Sequence, residues 1–121
     1  MRLENPKKHR VLSEVKSMKI VEVNDVHIKF SNNTEITFYH EADCCEWNFA
    51  DFEQLENEAM GFDFDENLKF EFCEGKGFRF GDSRRMFFIP CYSDQNGYYS
   101  TDIEIWYKDA MVISGECEEI D

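Results

Sequence analysis

The feature that most constrains the fold is a two-residue alternation of apolar and polar side chains that recurs along short stretches. Val26-His27-Ile28-Lys29-Phe30 and Glu35-Ile36-Thr37-Phe38-Tyr39-His40 both alternate, which places one set of side chains on each face of a strand. Between them Ser31-Asn32-Asn33-Thr34 supplies asparagines, which tolerate the positive φ of hairpin turns. Upstream, Met18-Lys19-Ile20-Val21-Glu22-Val23 is rich in β-branched residues. Downstream, Leu68, Phe70 and Phe72 alternate with charges, and Gly75-Lys76-Gly77 reads as a turn into Phe78-Arg79-Phe80. Arg85 to Ile89 is a further strand ending at Pro90. Ile103, Ile105 and Tyr107 alternate with Asp102, Glu104, Trp106 and Lys108, and Met111-Val112-Ile113 closes the set.

One stretch departs from this period. Asp51 and Gln54 have the spacing of a capping box, and Gly61 stands where a left-handed C-terminal cap belongs. Phe52, Leu55 and Ala59 form an apolar stripe, while Glu53, Glu56, Asn57 and Glu58 lie off it. The spacing predicts one main α-helix over about 52–60. The expected fold is therefore α+β: a mostly antiparallel, strongly curved or barrel-like sheet of about seven strands, with the helix over one opening. The 121 residues match a single domain, expected over 17–115. Residues 1–16 read as a basic arm or short helix opened by Asn5-Pro6, and 116–121 as a loose acidic tail.

Charge is the strongest compositional signal. The chain carries a net −13. From Glu41 to Glu74 there are twelve acids and one base, Lys69, a balance of −11 in 34 residues, whereas the first twenty residues hold six bases against two acids. Such a surface repels nucleic acid and membranes and attracts basic proteins. No apolar run approaches the roughly 18 residues of a membrane span. The basic N-terminus lacks the apolar stretch of a signal peptide, so a cytoplasmic location is expected. The five cysteines include no C-x-x-C, which favours buried thiols over disulfides.

The densest group of reactive side chains is His40-Glu41-Ala42-Asp43-Cys44-Cys45-Glu46. It admits a thiol enzyme with His40 as base, although the flanking carboxylates oppose thiolate formation. It also admits a zinc site through His40 with Cys44 or Cys45, joined by Cys73, Cys91 or Cys117. The favoured reading is buried thiols beside a hydrogen-bonded histidine, with no cofactor and no catalysis. Asp63-Phe64-Asp65-Glu66-Asn67 with Glu74 imitates a calcium loop, but Leu68 replaces the required glycine. Arg84-Arg85 is too small for a nucleic-acid patch, and Phe87, Tyr92, Tyr98 and Tyr99 read as core aromatics rather than base-stacking platforms.

Phe38 to Glu46, followed by Asn96-Gly97-Tyr98-Tyr99-Ser100, resembles a family of small uncharacterised proteins encoded by phages and prophages. Those proteins carry an H-x-x-D-C-C-E segment and a late S-N-G-Y-Y-S motif. The resemblance spans about residues 12 to 107 and departs at Gln95, where the family has Ser. It carries over His40, Asp43, Cys44, Cys45 and Glu46, with Asn96, Gly97, Tyr98 and Tyr99, as motif residues of no established role. It implies a phage accessory protein. Combined with the charge, the expectation is a protein that inhibits a basic host protein, such as a CRISPR or other defence nuclease, by mimicking nucleic acid. The expected contacts are Glu53, Glu56, Glu58, Asp63, Asp65 and Glu66, with no direct binding of nucleic acid or membrane. The sequence leaves the oligomeric state open.

Overall fold

The computed structural model describes residues 17–41, 46–95, 97 and 99–120. Five alternating segments pair into a first sheet: β2 (Ile20–Val23), β3 (Ile28–Phe30), β4 (Glu35–Tyr39), β10 (Asp102–Tyr107) and β11 (Ala110–Glu116). Their spatial order is β11-β10-β4-β3-β2. A second sheet runs β12 (Glu118–Ile120), β9 (Met86–Asp94), β8 (Gly77–Gly81) and β7 (Lys69–Cys73), with β5 (Trp47–Ala50) also on β9. A short pair, β1 (Ser17–Met18) with β6 (Phe64–Asp65), completes the set.

The alternation places the core. Ile28 faces Ile36, and Ile36 faces Tyr107 across the β3–β4–β10 ladders. Those residues are buried together with Phe30, Ile103 and Ile105. From the second sheet Phe78, Phe80, Phe87 and Ile89 enter the same cluster. Phe64 links the two sides. Its ring lies 5.6 Å from Phe30, 5.5 Å from Phe80 and 5.5 Å from Phe87. Full burial of one such side chain contributes about 1.5–3 kcal/mol.

The expected α+β class and its main helix are corrected by the structure, which is mostly β. Residues 52–60 form two single 3-10 turns, Phe52–Gln54 and Asn57–Gly61. Leu55 (φ −59°, ψ 132°) and Glu56 (φ −68°, ψ 148°) between them are extended. An α-helix of this length is marginal alone, and Glu53 and Glu56, three residues apart, repel on a helical face. Burying Phe52 and Ala59 completely outweighs helical propensity. The Asp51–Gln54 pair bonds side chain to side chain (Gln54 Nε2 to Asp51 Oδ2, 2.7 Å), so it caps no backbone group. Gly61 is not among the residues with positive φ, and the second turn closes instead through Phe62 N to Ala59 O at 3.3 Å.

The barrel-like expectation is corrected as well, since neither sheet closes on itself: β11 and β2 remain the edges of the first. The second sheet departs from the sequence reading at β5, which was not expected, and at β9 and β12. β9 continues through Pro90 to Asp94. There Pro90 O accepts from Asp51 N at 2.9 Å, so the proline forgoes only the return bond at the last rung beside β5. The acidic end read as a loose tail instead contributes β12, parallel to β9 with Glu118 opposite Tyr92.

Two glycines hold β8 against its partners. Gly77 and Gly81 have φ of 155° and 151°, and a Cβ at either would come 2.1 Å from a backbone oxygen, that of Ile89 or Arg85. Gly77→Ala is expected to lower stability by about 2–4 kcal/mol in urea unfolding. Gly61→Ala, with nothing within 4 Å of its Cβ, is expected to stay within about 0.5 kcal/mol. Tyr107 is 6% exposed and donates to Glu66 O at 2.9 Å, and burial raises its pKa. Its contribution is complete below the unfolded value of about 10 and is lost as pH rises beyond it. Unfolding midpoints should fall less steeply above that pH in Tyr107→Phe than in the parent.

Candidate functional site

The acidic residues expected to bind a partner fall into two groups. Glu53 on the first 3-10 turn, Glu56, Glu58 on the second, and Asp63 just before β6 are exposed along one stretch. Asp65 and Glu66 are half-buried. Asp65 Oδ1 accepts from Asn67 N at 2.9 Å, a local turn that directs it back to its own backbone.

Two arginines hold this stretch in place. The Arg85 guanidinium pairs with Glu56 and, at 3.1 Å, with Glu58, while its carbon lies 4.6 Å over the Phe87 ring. Arg84 lies 4.8 Å over Phe62 and donates to the Asp63 carbonyl. It also pairs with Asp82 at 2.7 Å, and this hydrogen bonding holds the Asp82 carboxyl below the usual carboxylate range. Lys19 Nζ sits 2.6 Å from Asp63 Oδ1. Arg84-Arg85 thus clamps the acidic segment onto the aromatic core. Glu53 has no hydrogen bond or ion pair among the described residues.

The second candidate is a buried polar network that joins the two segments carrying the family resemblance. Asn48, 2% exposed on β5, donates through Nδ2 to Ser100 O (3.0 Å) and Asp102 O (2.8 Å). Its Oδ1 accepts from Ser93 Oγ at 2.5 Å. Gln95, also buried, donates to Ser93 Oγ (2.6 Å) and Ser100 O (3.1 Å) and accepts from Tyr99 N (2.7 Å). Gln95, the point of departure from the resemblance, is therefore a stitch of this network. Gly97 is exposed with φ 94°. Asp43, Cys44, Cys45, Asn96 and Tyr98 lie outside the described residues, as does the arm read over 1–16.

His40 and Glu46 meet at this network, with side chains 5% and 2% exposed. His40 Nδ1 lies 3.2 Å from Asn48 Nδ2 and 3.8 Å from Asp102 Oδ1. The two carbonyls take both hydrogens of the Asn48 amide and the Ser93 hydroxyl bonds its oxygen, which fixes the amide beside the ring. The His40 Nε2 is buried without a hydrogen-bond partner among the described residues, and Glu46 Oε2 lies 3.7 Å away.

Cys91 and Cys117 are buried and Cys73 is half-buried. A hydrogen bond with Cys117, together with burial, pushes the Cys91 thiol above its ordinary pKa, which disfavours the free thiolate. Among the described residues no three His, Cys, Asp or Glu side chains are placed to hold a metal. The calcium-like stretch is occupied by β6 and β7, and Glu74 Oε1 accepts from Glu116 N at 2.8 Å.

Sequence reasoning missed the outward aromatics. Trp47 is 61% exposed and stacks on Phe49 at 4.4 Å, and Tyr39 and Trp106 share the outer face of the first sheet. The signal was present for Tyr39 and Trp106, which stand in the polar register of their strands.

Among the described residues no helix is long and apolar enough to cross a membrane. A family model described as a domain of unknown function, DUF7448, matches residues 7–105. No curated protein and no solved structure matches the chain.

Asn48→Ala strands buried partners and is expected to cost about 2–4 kcal/mol in chemical denaturation.

Proposed function

The chain belongs to the DUF7448 family, a domain of unknown function, and from that premise we propose that it is a non-catalytic inhibitor that occupies the nucleic-acid surface of a basic host protein. The observation that carries the reading is the exposed run of Glu53, Glu56, Glu58 and Asp63 on a rigid, aromatic-anchored base. The net charge of −13 draws the protein to cationic surfaces and keeps it from binding nucleic acid itself. The resemblance over Phe38–Glu46 and Asn96–Ser100 makes it a phage-type accessory protein acting in the cytoplasm of the host cell. Its partner is then a CRISPR or other defence nuclease.

The internal ion pairs do not oppose this role. Exposed pairs such as Arg85–Glu58 contribute only about 0–1 kcal/mol each, so a partner's bases can replace them at little cost. What the arginines supply is shape, because they hold the carboxylates in one orientation before contact. Preorganised charge speeds docking and sharpens its salt dependence.

The test is retention of host nucleases from lysate at low and high salt, followed by a DNA-cleavage assay with whichever nuclease is retained. Retention at low salt, release at high salt and loss of cleavage are expected. In the triple variant Glu53→Lys, Glu56→Lys, Glu58→Lys, retention and inhibition should both disappear. A triple variant that inhibits as well as the parent would remove the proposal.

A further inference from the structure

A groove of about 670 Å³ crosses the outer face of the first sheet, between β4 and β10. Its floor follows from register: Trp106 stands opposite Thr37, and Tyr39 opposite Glu104. Trp106 is half-buried and lines the groove beside the small Thr37, and Tyr39 is 51% exposed. One end is closed by the β10–β11 turn, where Lys108 and Asp109 have φ of 53° and 61°, the geometry of a two-residue hairpin loop.

The charges around this floor are mostly of one sign. Among the described residues, Glu35, Glu104 and Asp109 line the groove against one base, Lys108. Lys108 Nζ is drawn over the Tyr107 ring at 5.5 Å. His27 Nδ1 meets Glu35 at 3.1 Å. Trp106 Nε1 donates to Glu104 Oε1 at 3.0 Å, which fixes the indole plane and aligns the carboxylate with its edge. A groove-lining indole beside an aligned carboxylate matches a guanidinium, which stacks over the ring while its N–H donors reach the neighbouring acid. A neutral apolar occupant would desolvate these carboxylates without compensation.

We propose that this groove seats an arginine side chain of a basic partner segment, stacked on Trp106 and paired with Glu104. The inference rests on the reading that the partner is basic, and it adds a second contact away from the Glu53–Asp63 stretch. The groove supplies selectivity for arginine over lysine, which the open acidic stretch cannot.

The experiment titrates a fluorophore-labelled glycine–arginine peptide, and its glycine–lysine counterpart, against the full chain by anisotropy. The arginine peptide should bind more tightly than the lysine peptide. Trp106→Ala should weaken it about tenfold, and Glu104→Gln, which keeps the shape of the side chain, about fivefold. The triple variant at Glu53, Glu56 and Glu58 should stay within about twofold of the parent at physiological salt. Parent-like binding by both groove variants would overturn the proposal. Loss of binding in the triple variant alone would also overturn it, and would assign the cation to the acidic stretch. If no form binds the peptide, the groove inference falls, while the nuclease assay still decides the inhibitor reading by itself.

Discussion

Burial of Phe64 between the two sheets is the contact on which the remaining architecture depends. The ring touches Phe30 of the first sheet and Phe80 and Phe87 of the second. Among the described residues, the strand that carries it pairs only with Ser17 and Met18. Two hydrogen-bonded residues would not hold a strand in place by themselves, so it is the ring that fixes β6. Because Phe62 packs on both Phe64 and Phe87, the chain leading into β6 is pinned too. The acidic 3-10 turns immediately before it thereby gain a fixed base. A surface made of side chains that repel one another keeps its shape because Phe52, Ala59 and Phe64, spaced among them, are buried in the core.

Arg84 and Arg85 extend the same logic outward. Each stacks its guanidinium on a core-edge ring and points its donors at the acidic segment. In the sequence the pair looked like a feeble basic patch, and in the fold it is the brace of an acidic one. The difference is orientation, which composition does not contain.

Most strands were legible because period-two alternation depends only on one face being buried, a condition met by β3, β4, β7, β8 and β10. β5 was not legible: Trp47-Asn48-Phe49-Ala50 turns its aromatics outward and a polar Asn48 inward, the reverse of the usual pattern. β12 carries two glutamates in three residues and is held by the backbone of β9 rather than by its own side chains. The supposed helix failed for a related reason, since Phe52 and Ala59 satisfy the helical stripe but are buried separately by the fold. As for the site, charge marked out the exposed carboxylates. The network of Asn48, Ser93 and Gln95 was invisible because its members lie as many as 54 residues from their partners.

Those separations shape how the chain reaches its native state. β4 must find β10, and Asn48 must find Asp102, across sequence gaps that close only after much entropy has been lost. Until then the edges of β4 and β9 stand open, each able to add a strand from another molecule. A net charge of −13 makes such encounters between identical chains repulsive throughout that interval. The acidity displayed by the finished surface therefore also serves the unfinished one, acting as a chaperone written into the composition.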